Sequence, residues 1–147
     1  MDMRKFAREL AALIPQIHSE FLRRQPQELL KGRMTFAQMI ILDFLYMKGE
    51  SKMGDVSRAM GVTKSAVTGL TDRLIKVGFL RRFRSLNDRR IVRITLSKRG
   101  SAVARRLAGY KLKMIGTLFS NISQKERRQY LGILKKLQKN LDRKRTK

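Results

Sequence analysis

Thr63, Ser65 and Thr68 place three hydroxyls within six residues, and Lys64, Arg73 and Lys76 add cations along the same segment, with Gly69 between them. Short hydroxylated side chains let a helix approach base edges and donate or accept hydrogen bonds there, while Lys and Arg neutralise phosphates. A second group lies just beyond: Arg84, Asp88, Arg89, Arg90 and Arg93, around the turn signal Ser85-Leu86-Asn87-Asp88. Arginines at the tip of a turn can enter a narrow minor groove, where negative potential is enhanced. From Arg73 to Arg99 ten basic residues face only Asp88. The chemistry on offer is recognition of a polyanion.

The composition agrees. The chain has 147 residues, 35 Lys+Arg against 11 Asp+Glu, and a formal charge of +24. A small soluble domain is well served by a magnitude of about 2–8. A compact body so charged repels itself, so a polyanionic partner is the economical explanation, double-stranded DNA once the helix-turn-helix below is read. The charge is uneven. Residues 1–50 carry eight basic and six acidic side chains, residues 51–100 thirteen and three, residues 101–147 fourteen and two.

Other classes fall away. With no Cys and one His, there is no disulfide framework, thiolate site or thiol redox sensor, and a metal site is not expected. No nucleophile elbow, phosphate loop or paired-carboxylate site is found, so no catalytic residue and no cofactor is assigned. Asp55 and Asp72 have no candidate His partner nearby. The longest apolar run, Met39 to Met47, is interrupted by Asp43, and no apolar signal core follows Met1-Asp2-Met3-Arg4. The expected location is the cytoplasm, on the nucleoid, with no membrane partner.

The elements that must position these residues follow from hydrophobic spacing. Phe6, Leu10, Leu13, Ile14, Ile17 and Phe21 form one helical stripe, which Pro15 could bend. Thr35 and Gln38 read as a capping box opening a helix through Met47, ended by Gly49. Its apolar residues lie on most sides, so it is expected to be central and buried. Ser51 to Met60 reads as a short helix with Met53, Val56 and Met60 inward. Gly61-Val62 makes the turn, and Thr63 caps a helix from Lys64 to Val77. On that helix Val67, Leu70, Thr71 and Leu74 share one face. Ser65, Gly69, Asp72, Arg73 and Lys76 share the other, with Thr68 at its edge.

After Gly78 come two strands, Phe79 to Arg84 and Ile91 to Leu96, the second alternating with Val92, Ile94 and Leu96 on one face. Two short helices and a hairpin make a helix-turn-helix with a wing, the second helix entering the major groove. Val103, Leu107, Tyr110, Met114 and Leu118 form a further helical stripe. Asn121 or Ser123 can cap the last helix, with Tyr130, Leu134, Leu137 and Leu141 in line. Long terminal helices with narrow stripes and charged flanks suit packing against a second copy.

Asp55-Val56-Ser57-Arg58-Ala59-Met60-Gly61-Val62-Thr63-Lys64-Ser65-Ala66-Val67-Thr68 resembles the helix-turn-helix of the MarR family of winged-helix regulators. So does Thr71-Asp72-Arg73-Leu74-Ile75-Lys76-Val77-Gly78-Phe79-Leu80-Arg81-Arg82. Asn87-Asp88-Arg89-Arg90 looks like the family's wing-tip motif, and Leu96-Ser97-Lys98-Arg99-Gly100 its strand-to-helix junction. The junction departs in carrying Ser97 for the usual Thr, and Lys98 and Arg99 where an acid is common.

The resemblance implies a mainly α chain of one domain, 1–147. A winged helix-turn-helix would occupy 33–100 with a small β-hairpin wing, flanked by dimerisation helices in 1–32 and 101–147. Phe6, Leu10, Leu13, Ile17, Tyr130, Leu134, Leu137 and Leu141 would form the homodimer interface. It further implies a transcriptional regulator, in the repressor sense, binding a pseudo-palindromic operator, with Asp88 positioning Arg89 or Arg90. A non-specific architectural DNA-binding protein is the alternative, since +24 suits it equally.

Relief by a small aromatic or anionic effector is also implied by the resemblance. His18, Phe21, Phe36, Met39, Ile40, Tyr46 and Tyr110 are the candidate lining residues, although aromatic and Met residues at helical spacing commonly serve as core. The last helix is unusually basic, with Lys135, Lys136, Lys139, Arg143, Lys144, Arg145 and Lys147, and could reach phosphates outside the core site.

Overall fold

The computed structural model describes residues 1–24 and 34–145. Residues 25–32 of the expected N-terminal dimerisation region, residue 33 at the expected start of the winged unit, and Lys147 lie outside the described residues, as do the side chains of Lys144 and Arg145. The chain resolves into two compact units, Met1–Tyr110 and Lys111–Lys147.

The first unit begins with α1 (Met3–Arg23), which runs through Pro15 as one helix. Then α2 (Phe36–Lys48) starts at a reciprocal capping box. The Thr35 side chain accepts from the Gln38 N–H, and the Gln38 side chain accepts from the Thr35 N–H at 2.8 Å. Gly49, at φ 77°, ends it. Next come β1 (Ser51–Lys52), α3 (Met53–Met60), α4 (Lys64–Lys76), β2 (Leu80–Arg84) and β3 (Val92–Leu96). Helix α5 (Lys98–Leu118) crosses from the first unit into the second, which contains α6 (Gln124–Arg145).

Two expectations change. Ser51 and Lys52 belong to a strand rather than to the helix that follows. They pair antiparallel with β3, Ser51 opposite Ile94, so the hairpin wing becomes part of a three-stranded sheet of order β1-β3-β2. Helix α2 is buried on one face only, through Gln38, Ile41, Leu42 and Leu45, while Phe36, Ile40, Tyr46 and Met47 are exposed. One small unit has too little apolar surface of its own to cover both sides.

The core is Ile41, Leu42 and Leu45 from α2, Met53 and Val56 from α3, Val67 and Leu74 from α4, with Phe79, Leu80, Ile94 and Ala104. Burying such side chains is worth about 1.5–3 kcal/mol each. Gln38 is buried among them with its amide reaching the Leu70 carbonyl. Its polar atoms are therefore satisfied by the cap it helps to build and by α4.

The strand-to-helix junction is tight. The Ser97 N–H donates to the Phe79 carbonyl at 3.0 Å, and its hydroxyl donates to the Gly78 carbonyl at 2.6 Å. The same hydroxyl accepts from the Gly100 N–H, capping α5. A Cβ on Gly100 would stand 1.8 Å from the Phe79 carbonyl oxygen, so only glycine fits. Arg99, a cation in the first turn of a helix, lies over the Phe79 ring at 5.4 Å. That contact offsets the mildly unfavourable dipole.

Candidate nucleic-acid interface

The turn between α3 and α4 rests on Gly61, in the left-handed region at φ 66° and ψ 30°. The Thr63 side chain then accepts from the Ala66 N–H at 3.2 Å, fixing the start of α4. Val67, Thr71 and Leu74 are buried, which turns Lys64, Ser65, Thr68, Gly69, Asp72, Arg73 and Lys76 to the outside. The Thr68 hydroxyl donates to the Lys64 carbonyl at 2.9 Å, leaving its lone pairs free to accept. Nothing lies within 4 Å of a Cβ built on Gly69, so the protein's own packing does not demand a glycine there.

Beside α4 stands the wing. Its tip is closed by Ser85 N–H donating to the Ile91 carbonyl and Ile91 N–H donating to the Asp88 carbonyl, both at 2.9 Å. Asp88 Oδ1 accepts from the Arg90 N–H at 3.0 Å and from its Nε at 3.3 Å. Asp88 thus holds the Arg90 backbone and side chain together, and the Arg90 side chain remains 94% exposed. Arg84 donates to the Arg89 carbonyl at 3.1 Å. A groove of about 950 Å³ runs between the helix-turn-helix and the wing, lined by Lys52, Arg58, Lys64, Thr68, Arg84 and Arg90 among others.

The residues singled out from sequence therefore gather on adjoining elements. Arg93 on β3 is among them, its partly exposed guanidinium paired with Glu50 at 2.6 Å. Three features were not read from sequence. Arg82 bridges Asp72 at 2.7 Å, tying the wing strand to the recognition helix. Glu50 and Arg93 meet across forty-three positions. Leu86, fully exposed at the wing tip, has no local cue beyond its place in the turn.

A scan of family descriptions matches the MarR family over residues 34–92. A Bacillus subtilis (strain 168) protein named as the uncharacterized HTH-type transcriptional regulator YwhA is 32% identical over 97 residues, covering 66% of this chain and 70% of that one. This chain belongs to the MarR family. It is a DNA-binding transcriptional regulator of the winged-helix type, and the family is not one of enzymes. Among solved structures, a MarR family protein from Bacillus stearothermophilus is 25% identical with a TM-score of 0.78, over 97% of this chain and 99% of that one. MepR of S. aureus, solved as a DNA complex, is 25% identical with a TM-score of 0.74, over 89% and 96%.

The MarR-type fold leaves two other residue sets less assembled. Of the effector candidates, His18 and Phe36 meet edge to face at 5.7 Å. Phe21 and Met39 are half-buried, and Ile40, Tyr46 and Tyr110 are exposed. Neither the groove by the wing nor a shallow hollow beside Pro15 and Arg23 is lined by any of the seven. The dimerisation candidates are exposed throughout: Phe6, Leu10, Leu13 and Ile17 on α1, and Tyr130, Leu134, Leu137 and Leu141 on α6. No helix among the described residues is long and apolar enough to cross a membrane.

Proposed function

We propose that this MarR-family chain is a sequence-specific repressor that binds a pseudo-palindromic operator as a homodimer. The observation that carries the reading is the continuity of α4's polar face with the basic groove and the Asp88-held Arg90 of the wing. Ser65 and Thr68 read base edges in the major groove, with Gly69 allowing close approach. Lys64, Arg73 and Lys76 contact phosphates, and Arg84 and Arg89 add charge along the wing. Arg90, with Arg89 as the competing choice, enters the minor groove. Arg93, braced by Glu50 at the base of the wing, adds further charge there.

Two copies are needed because α1 and α6 each present an apolar stripe to solvent. Covering them with a second chain sets two recognition helices about 34 Å apart, one helical repeat. Repression follows from occupying promoter DNA in the cytoplasm. A small aromatic or anionic effector would bind near His18 and Phe36, where an imidazole and a phenyl ring already meet edge to face.

The charge of +24 supports a second reading, a non-specific architectural protein. Competition separates the two. A regulator selected against fragments of its own genome should prefer one class of fragment over random duplex by about 10³–10⁷. A ratio near unity would leave the architectural reading standing and remove the operator.

A further inference from the structure

The unit Lys111–Lys147 carries twelve basic residues and two acidic ones, Glu126 and Asp142. Glu126 is held by Ser123 at the start of α6. On α6, at about 100° per residue, Lys125, Arg128, Lys135, Lys136, Lys139 and Arg143 fall within an arc of about 100°. All six are exposed. Tyr130, Leu134, Leu137 and Leu141 fall on the opposite side within an arc of about 60°, with Ile133 and Arg127 flanking them and Asp142 bordering the basic stripe. From Lys125 to Arg143 the stripe is about 27 Å long at 1.5 Å per residue. That is roughly eight base-pair steps of duplex at 3.4 Å per strand.

We infer that the basic stripe of α6 is a second, sequence-independent surface for duplex DNA, separate from the helix-turn-helix and wing. Its partner is the phosphate backbone, since four of the six side chains are lysines, point charges suited to phosphates rather than to bidentate reading of bases. A lipid surface fits worse. A helix lying in an interface buries its apolar face, and lysines beside that face snorkel to the headgroups. Here six cations stand opposite the apolar side and would point into water, Arg127 alone among the described side chains lying beside that face. The apolar side is the one that the proposed dimer covers, so the stripe remains outward when two copies associate. The inference rests on the DNA-binding reading for its choice of polyanion. It adds that one protein particle engages two duplexes.

The test uses the full chain bound to an immobilised random-sequence duplex several turns long, followed by a labelled second duplex in solution. The comparison is with K135Q/K136Q/K139Q/R143Q, whose substitutions touch only exposed positions of good helix propensity. The expected result is that both proteins hold the first duplex and the variant captures at least tenfold less of the second. The salt slope of that second capture should also be shallower by about 3–4, for four lost phosphate contacts. Circular dichroism and sedimentation should show the variant folded and in the same oligomeric state. Equal capture of the second duplex by both proteins overturns the inference. So does a variant that keeps duplex capture but loses binding to phosphatidylcholine–phosphatidylserine vesicles. Failure of the unsubstituted chain to hold even the first duplex would instead remove the DNA-binding reading on which this one stands.

Discussion

The winged region and the terminal helices solve the burial problem in opposite ways. Among the described residues, every buried apolar one lies between Ile41 and Ala104, where α2, α3, α4 and the sheet close on one another. Helices α1 and α6 are just as regular, yet Leu10 and Leu134 are each 41% exposed. A regular helix needs only spacing; a core needs a partner surface. The winged region contains its partners within the chain, whereas the terminal helices have stripes written for something else.

The sharpest way to break that contrast is to remove the stripe's chemistry. Leu134→Glu with Leu137→Glu should convert the dimer to monomer in sedimentation, while leaving the winged region folded. Linked half-sites gain about 10²–10⁴ in affinity without new contacts, so operator binding should fall by about 10³. A variant that remains dimeric would mean that α6 is not covered by a second copy.

Next comes the closed region itself. Gly100→Ala drives a methyl into the Phe79 carbonyl, and overpacking of this kind costs about 3 kcal/mol. Gly109→Ala, in the same helix with nothing near its Cβ, should instead be neutral or stabilising by up to about 1 kcal/mol. Thermal denaturation of the two variants checks the pair. Equal responses would show that the junction yields.

A finer comparison lies within the interface. Lys76→Ala should weaken all duplexes alike and lower the salt slope by about 1, as one lost phosphate contact does. Arg90→Ala should cost more on a core flanked by A·T-rich sequence than by G·C-rich sequence, because a narrow groove concentrates potential. Titrating both variants on two duplexes with a common core distinguishes the roles. Equal loss on both flanks makes the wing a simple electrostatic contact, and a flank-dependent loss in Arg89→Ala transfers the role to that residue.

The smallest effect is at the start of α6. The Ser123 hydroxyl and backbone N–H hold the Glu126 carboxyl below its usual value, the hydroxyl more strongly. A depressed carboxylate contributes stability above its unfolded pKa, and that contribution disappears as pH falls through the folded one. In Ser123→Ala, NMR titration should find Glu126 moved back toward the ordinary carboxylate value. An unmoved carboxyl would show that the backbone N–H alone holds it.

What could be read in advance divides along the same line. Thr35 with Gln38, Gly61 and Thr63 announce helix ends because capping is local chemistry within four residues. The face of α4 that carries Ser65, Thr68 and Lys76 followed from Val67 and Leu74. Strand β1 was not legible, because two residues have no period and only Ile94, more than forty positions away, makes Ser51 a strand. The Asp72–Arg82 and Glu50–Arg93 bridges were hidden for a related reason. Each joins elements whose meeting depends on the completed sheet. Nor did the exposed half of α2 follow from its run of Met39, Ile40 and Ile41, since spacing cannot say how much surface remains to cover it.

The order β1-β3-β2 leaves β2 as the long outer strand among the described residues, with a row of outward backbone groups, from alternate residues in Leu80–Arg84, on the side away from β3. Such a row is a template for another strand, and a second copy is always near in a dimer. Arg81 and Arg84, beside an Arg82 already paired with Asp72, make any two of these strands repel on approach. The same guanidinium groups therefore act as a guard against polymerisation. Neutralising them together, by substitution or by excess polyanion, would favour fibrous or amorphous precipitation before it altered the fold.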